Sequence, residues 1–256
     1  MNKTLSLIKS VCPFIGLALI IVMVTVTFSP FWISFFVILD YLLAILIFGL
    51  QKYSKKTSLV LYNHNSFIFF GNLTCGIAIS ATRSFLSVRD YNEHIKVIRI
   101  IGDWICNENS ICGFFSTVLF GFAILFFCKQ HISRATEVAA RYCLDGMNSK
   151  LFDIDQKLIK QEITENEANL QKEKVRANVD YYGHIDYASN YLLWTIKAFI
   201  GLFCIIVLGG FANGIIELKL SWGESLSQYI NLSSGFFIVF LIPIFIVSLS
   251  LRTKIE

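Results

Sequence analysis

The chain has 256 residues, of which 55% are hydrophobic and 16% are charged, and its formal net charge is +4. Soluble domains carry about 25% charged residues, and the mean hydropathy here is +0.62, so the composition excludes an ordinary water-soluble domain. The basic residues are spread over several segments and form no basic stripe, which argues against nucleic-acid binding.

Six apolar runs are each close to the length of about 20 residues that a helix needs to cross a bilayer. In chain order they are Val11–Phe28, Phe31–Leu50, Ser58–Ala81, Ile111–Cys128, Tyr191–Phe211 and, approximately, Leu232–Leu251. Asn63, His64, Asn65 and Asn72 interrupt the third run, which indicates a helix that faces other helices. Pro243 lies inside the sixth run and predicts a kink. We predict an all-α, polytopic membrane protein with about six spans.

The distribution of lysine and arginine favours one orientation of these spans. Basic residues are enriched on the cytoplasmic side of membrane proteins, and an even number of spans places both termini on one side. Several basic residues lie on the side of the termini, in addition to those of the polar segment 130–190. They are Lys3, Lys9, Lys52, Lys55, Lys56, Arg252 and Lys254. The loop Arg83–Ser110 on the opposite side also contains basic residues and is an exception. The pattern favours a multi-pass membrane protein with both termini on the cytoplasmic side.

This orientation divides the chain into three parts. Residues 1–129 hold the first four spans, residues 130–190 form a polar segment on the cytosolic side, and residues 191–256 hold the last two spans. The polar segment contains four charged residues spaced by three, four and four, namely Arg134, Glu137, Arg141 and Asp145. At about 100° per residue they share one side of a helix. We call them the charge stripe; it is either a solvated ion-pair face or a docking surface.

Turn and cap signals predict that the polar segment is a helical hairpin. Gly146 and the following Asn148-Ser149 are expected to end the first helix, and the sequence TENE from Thr164 matches a capping box that starts the second. Val175, Val179 and Tyr182 recur at helical spacing, so they form an apolar stripe that must pack on something. Gly183 is expected to break this helix before the fifth span. We expect the hairpin to lie against the membrane face of the bundle.

The residues show none of the arrangements that catalysis or metal binding requires. The four histidines lie far apart and no Cys-x-x-Cys pair occurs, so we predict no metal site and no cofactor. Cys106 and Cys112 share one loop; they either pair there or remain free thiols, and free thiols are favoured. A nucleophile–base pair and a phosphate loop are also missing, so an enzyme is the least favoured class.

One long run resembles the signature of a known family. The sequence RATEVAARYCLDGM from Arg134 to Met147 is similar to the R-x-x-E-V-x-A-R-F-x-L-D-A-M pattern of the FHIPEP family, and the match continues at Lys150 and Ile154-Asp155. Further on, YYGHIDYAS from Tyr181, with Gly183 and Asp186, is similar to the family's F-Y-G-x-M-D-G-A-S. The FHIPEP proteins are large export-gate subunits of the flagellar and injectisome type III secretion systems.

The resemblance implies a function and partners. The family's membrane domain surrounds the export channel and is thought to couple proton flow to export, and a large cytosolic domain follows it. The resemblance therefore implies a membrane subunit of a protein export gate. Other export-apparatus membrane subunits, further copies of the chain and exported proteins would be its partners. Details of both motifs favour the flagellar branch over the injectisome branch.

Several positions depart from the family pattern, and two of the departures remove carboxylates from the membrane spans. Thr195 and Phe236 stand where the family has aspartates in the last two spans, and Thr74 and Ala78 replace an arginine and an asparagine in the third. Intramembrane carboxylates are normally kept for proton or ion transfer. With the chain ending at Glu256, where the family's cytosolic domain would begin, we expect a divergent, truncated member that does not itself conduct protons.

Two further functions stay open. One is an inactive fragment of a degenerate gene. The second is an independent proton-coupled transporter, which predicts that Asp40 or Glu217 titrates inside the bundle.

Overall fold

A computed structural model gives the backbone of residues 3–53, 57–88, 90–107 and 109–251, and the side chains of 14–50, 65–88, 90–107, 109–180 and 182–251. The helices are α1 Lys3–Thr25, α2 Pro30–Tyr53, α3 Thr57–Ser87, α4 Lys96–Cys106, α5 Ser110–Arg141, α6 Met147–Ile159, α7 Glu165–Ile216 and α8 Trp222–Ser250. A short 3-10 turn, Tyr91–Glu93, precedes α4, and a π turn, Tyr142–Gly146, joins α5 to α6. The described residues contain no strand, and the all-α prediction is confirmed.

Each of the six predicted apolar runs lies wholly or mostly in one helix, and these helices are α1, α2, α3, α5, α7 and α8. Among the described residues, four helices are long and apolar enough to cross a membrane: Pro30–Leu50, Ser110–Ile159, Glu165–Ile216 and Trp222–Ser250. The described apolar part of α1, Phe14–Thr25, is shorter. The fold is thus that of a helical membrane protein.

Contacts between helices show that α1, α3 and α7 run in the same direction. Arg83 near the end of α3 donates to the carbonyl of Val24 near the end of α1, 2.9 Å away. Asn213 near the end of α7 donates to the carbonyl of Leu86, 3.1 Å away. Because short connections follow α1 and α7, α2 and α8 begin at this same end and run back. We call it the α4 end, since α4 lies between α3 and α5.

The centre of the bundle is formed by α8 and α3. Serines and glycines on α8 remove side-chain bulk and let neighbouring backbones approach. A Cβ added to Gly235 would lie 2.0 Å from the carbonyl oxygen of Ile98 on α4, and one added to Gly102 would lie 2.1 Å from that of Asn231. On α3, Phe70 and Ile77 are fully buried, so the prediction that the third run packs inside a bundle is confirmed.

Exposed tryptophans mark both ends of the apolar bundle. Trp32, Trp104 and Trp222 are exposed at the α4 end, whereas Trp194 is exposed near the start of the apolar part of α7. Tryptophan is enriched at the two membrane–water interfaces. From Trp194 to Ile216 the helix rises about 33 Å at 1.5 Å per residue, which is close to the thickness of about 30 Å of a bilayer's hydrocarbon core.

The polar segment is an antiparallel hairpin that continues the helices of the bundle. We call it the polar hairpin: the end of α5 from Gln130, the π turn, α6, and α7 up to Asn190. Two predicted breaks are wrong, because α6 begins at Met147 directly after the π turn and α7 passes through Gly183 without interruption. A single helix of 52 residues, about 78 Å long, joins the hairpin to the last spans. The hairpin therefore extends away from the bundle, and the expectation that it lies against the membrane face is wrong.

Some sequence predictions concern residues outside the described side chains. These are the basic residues Lys3, Lys9, Lys52, Lys55, Lys56, Arg89, Arg252 and Lys254, and the polar residues Asn63 and His64. Cys106 and Cys112 are free thiols, the first buried and the second exposed. Pro243 is buried within α8, and the kink remains a prediction.

Candidate functional site

The charge stripe begins on the polar extension of α5, where the fourth apolar run has ended. Arg134, Glu137 and Arg141 are exposed there. The Arg141 guanidinium donates to Glu137 Oε1 over 2.6 Å, and both side chains remain mostly solvent-accessible, at 76% and 60%. An exposed pair of this kind contributes about 0.2–1 kcal/mol to stability. The pair therefore adds little to the stability of the fold, and its guanidinium remains open to a partner.

Asp145 is separated from the rest of the stripe by the π turn that contains it. A π turn uses i→i+5 hydrogen bonds and so holds one residue more than an α turn, which shifts the side-chain register after Arg141. Arg141 is bonded to Glu137 and makes no described contact with Asp145. The sequence placed these three residues on one helix side, but it contained no signal for the inserted residue.

Tyr142 at the start of the π turn connects the two helices of the polar hairpin. Its ring centroid lies 4.3 Å from that of Tyr182 on α7. The Nζ of Lys150, a residue of the family-like motif, lies 5.1 Å from the Tyr142 ring centroid. The Tyr142 hydroxyl is buried without a hydrogen-bond partner among the described groups. Sequence reasoning missed Tyr142, although aromatic residues in both family-like motifs were a signal for it.

Beyond the π turn, α6 and α7 have a small apolar core of their own. Ile154, Ala168 and Val175 are buried in it, with Met147, Leu151, Leu158 and Ile163 packed around them. Lys172 Nζ and Asp155 Oδ1 are 2.6 Å apart beside this core. The predicted capping box at Thr164 is confirmed. Hydrogen bonds from Thr164 to the Glu167 carboxylate lower the pKa of Glu167.

The second family-like motif does not form a compact site. Gly183 lies on an open side of α7, where an added Cβ would meet nothing within 4 Å. Asp186 accepts a hydrogen bond from Asn190 one turn later, over 3.4 Å. The structure thus brings Tyr142, Lys150 and Tyr182 together, and no contact among the described residues joins Gly183 or Asp186 to the charge stripe.

A buried carboxylate lies inside the bundle, between α2 and α3. Asp40 is 1% exposed, and its Oδ1 accepts a hydrogen bond from the Thr74 hydroxyl over 2.7 Å. No described ion pair includes Asp40. Glu217, the alternative candidate for a titrating group inside the bundle, is exposed at the end of α7, which leaves Asp40.

The positions that lack the expected carboxylates are filled by close packing. Thr195 is 3% exposed and donates to the carbonyl of Tyr191 over 3.1 Å. Phe236 is fully buried, and its ring centroid lies 4.8 Å from that of Phe240. These groups do not exchange protons at physiological pH. Among the described side chains of the six apolar runs, Asp40 is the acidic group left deep in the bundle.

Comparison with known proteins gives one family for nearly the whole chain. The model of the FHIPEP family matches residues 20–252. The chain is 30% identical over 238 residues to the flagellar biosynthesis protein FlhA of Bacillus subtilis (strain 168), covering 91% of this chain and 34% of that protein. It is 31% identical over 180 residues to the protein of the same name from Borreliella burgdorferi, covering 67% of this chain and 25% of that protein.

A shorter match has similar identity. The flagellar biosynthesis protein FlhA of Salmonella typhimurium is 31% identical over 156 residues, which are 60% of this chain and 22% of that protein. The chain spans about a third or less of the length of these curated relatives. No solved structure matches the chain.

Proposed function

The chain belongs to the FHIPEP family, and from this premise we propose that it is a membrane subunit of a type III protein export gate of the flagellar type. The observation that carries the proposal is the polar hairpin. It holds the family-like motif and is built on the same uninterrupted helices that form the bundle. The names of the relatives, which are flagellar biosynthesis proteins, support the flagellar type.

We place the protein in the bacterial inner membrane with the polar hairpin in the cytosol. In this arrangement residues 1–129 and 191–256 supply the spans and residues 130–190 supply the cytosolic surface. Other export-apparatus membrane subunits and further copies of the chain are the partners, and exported proteins are the cargo. The charged, solvated surface of the hairpin and the exposed tryptophans at both ends of the bundle support this placement.

We assign docking of a partner subunit to the charge stripe. The stripe is exposed at the point where the hairpin leaves the bundle, and a planar guanidinium such as that of Arg141 recognises carboxylates in two-point contacts. Because the Arg141–Glu137 pair adds little to the fold, a partner carboxylate can replace Glu137 without destabilising α5. The other residues of the family-like motifs on the polar hairpin, namely Lys150, Asp155, Gly183 and Asp186, are further candidates for contact with a partner.

The proposal is tested by copurification. The full chain, expressed in a flagellated bacterium and extracted in mild detergent, is expected to retain other membrane subunits of the export apparatus. The variant Arg141→Ala is expected to lose them while its thermal unfolding midpoint stays unchanged, because only an exposed pair is removed. Lys174→Ala, an exposed cation on the opposite arm of the hairpin, is the matched control and should retain them.

Two results would contradict the proposal. Absence of every secretion-apparatus partner from the parent chain would argue against an export-gate subunit altogether. Unchanged secretion and assembly with Arg141→Ala would remove the docking role while leaving the family function standing.

The second candidate function is proton-coupled transport through Asp40. It is favoured by one observation, a buried carboxylate whose described hydrogen bond comes from a single hydroxyl. The test is Asp40→Asn in reconstituted vesicles, where a loss of proton flux would support transport and an unchanged flux would exclude it. Two further alternatives are an injectisome subunit and an inactive protein. Copurification of injectisome subunits would indicate the first, and copurification of no export-apparatus subunit would indicate the second.

A further inference from the structure

Two cations and a tryptophan lie exposed near the end of the bundle from which the polar hairpin extends. Lys129 follows the apolar run of α5, and Trp194 and Lys197 lie near the start of the apolar part of α7. The Nζ of Lys197 lies 4.2 Å from the centroid of the Trp194 ring, a distance at which a cation is attracted to the ring face. We call these three residues the cationic cluster.

Two aromatic contacts give the relative direction and level of α5 and α7. At one level Phe114 lies against Phe203, with ring centroids 5.9 Å apart. At the other, Tyr142 lies against Tyr182. Between these two levels the helices run antiparallel, so Lys129, about midway along α5, lies near the level of Trp194. The two lysines of the cluster are therefore close in depth on neighbouring helices.

The position of Lys197, unpaired among the described residues and in an apolar run, favours binding of a negatively charged partner. It belongs to the apolar run of α7, on a side of the helix that is exposed, and it makes no ion pair with any residue that the structure describes. A cation at this depth is unfavourable unless its long side chain reaches the headgroup region. The contact with Trp194 holds the Lys197 ammonium toward the membrane–water interface on the side of the polar hairpin.

We propose that the cationic cluster binds the headgroup of an anionic phospholipid in the leaflet on the side of the polar hairpin. The ammonium groups of Lys129 and Lys197, at similar depth on α5 and α7, would both attract the negatively charged headgroup, with the Trp194 indole at the level of the headgroups. Basic sites between transmembrane helices recognise such lipids. The inference rests on the proposed membrane placement, in which the exposed sides of both helices face the acyl chains, so a lipid rather than free phosphate is the occupant.

The test measures how selectively lipids contact Trp194. In the full chain, Trp32, Trp104 and Trp222 are each replaced by phenylalanine, which leaves Trp194 as the reporter. The protein is reconstituted with equal amounts of anionic and zwitterionic phospholipid, and one of the two carries bromine as a quencher. Each lysine near an anionic surface contributes a preference of about fivefold, so the brominated anionic lipid should quench Trp194 more strongly. Excess inorganic phosphate should not change this preference.

Two charge variants decide the outcome. Lys129→Gln combined with Lys197→Gln should reduce the preference to about that of the bulk lipid mixture, while helix content stays unchanged. Lys96→Gln removes an exposed cation at the α4 end and should leave the preference intact. Equal quenching by both lipids in the parent protein, or an unchanged preference in the double variant, would overturn the proposal. Displacement of the lipid by inorganic phosphate would assign the site to a free anion instead.

Discussion

At the scale of single residues, His94 is the most unusual group outside the spans. It is 2% exposed, and neither ring nitrogen has a hydrogen-bond partner among the described groups. Its ring lies edge-on to Phe85 and Tyr91. Burial, with a smaller effect from the positive charge of Arg99, lowers the pKa of His94 to about 4. The folded protein therefore holds this imidazole neutral.

His94 should make the stability of the protein depend on pH. In the unfolded chain histidine titrates near 6.5, so the folded state binds fewer protons below that pH. Its contribution to stability is full above about pH 6.5 and is lost as the pH falls toward 4. Thermal unfolding of His94→Phe in detergent should depend less on pH across this window. The partly exposed His131, changed to glutamine, is the control and should follow the parent; parallel curves for His94→Phe would contradict the prediction.

At the scale of elements, local rules found the ends of helices better than their continuity. The capping box at Thr164 was predictable because both partners lie within one turn. Gly183 was expected to break α7, but a glycine in a helix costs only about 1 kcal/mol relative to alanine. Packing of Ile185 and Ala188, both buried, offsets that cost. The π turn was not predictable, because no local signal marks it and the contact of its Tyr142 is with Tyr182, a residue distant in sequence.

The small apolar core of the polar hairpin predicts that the hairpin opens independently of the bundle. Ile154→Ala removes a buried side chain, a change that typically costs about 2–5 kcal/mol. Hydrogen exchange should therefore accelerate in α6 and in residues 165–180, while exchange in α8 stays unchanged. The matched control is Ile159→Ala, five residues along the same helix, because Ile159 is 81% exposed. Faster exchange throughout the chain would show that hairpin and bundle unfold together.

At the scale of the whole molecule, the alternating helix directions agree with the predicted spans. The packing of α4 against α8, however, was not predicted from the sequence. The sequence shows α4 only as part of a loop with mixed charges. In the structure, Ile95 and Ile98 are fully buried, and the helix lies on α8 where Gly102 and Gly235 allow backbone contact. Two glycines so far apart in the sequence carry no local signal of their meeting. The buried Asp40–Thr74 contact was unpredictable for the same reason.

The packing of α4 against α8 can be tested by a substitution at Gly102. Gly102→Ala would place a Cβ 2.1 Å from a backbone oxygen of α8, which cannot move aside as a flexible side chain can. We expect a lower unfolding midpoint and faster labelling of the buried Cys106 by a maleimide. Gly201→Ala is the control, since its Cβ would enter open space, and it should be neutral or slightly stabilising. Slow Cys106 labelling in Gly102→Ala would contradict the prediction.

The unbroken course of α7 has a mechanical consequence. Its part before Trp194 forms a lever arm of about 43 Å at 1.5 Å per residue. If the transmembrane part tilts by about 10°, the far tip near Thr164 swings by about 7 Å over this arm. A tilt of the transmembrane part small enough for neighbouring side chains to adjust would thus displace the hairpin tip by more than the rise of one helical turn, about 5.4 Å.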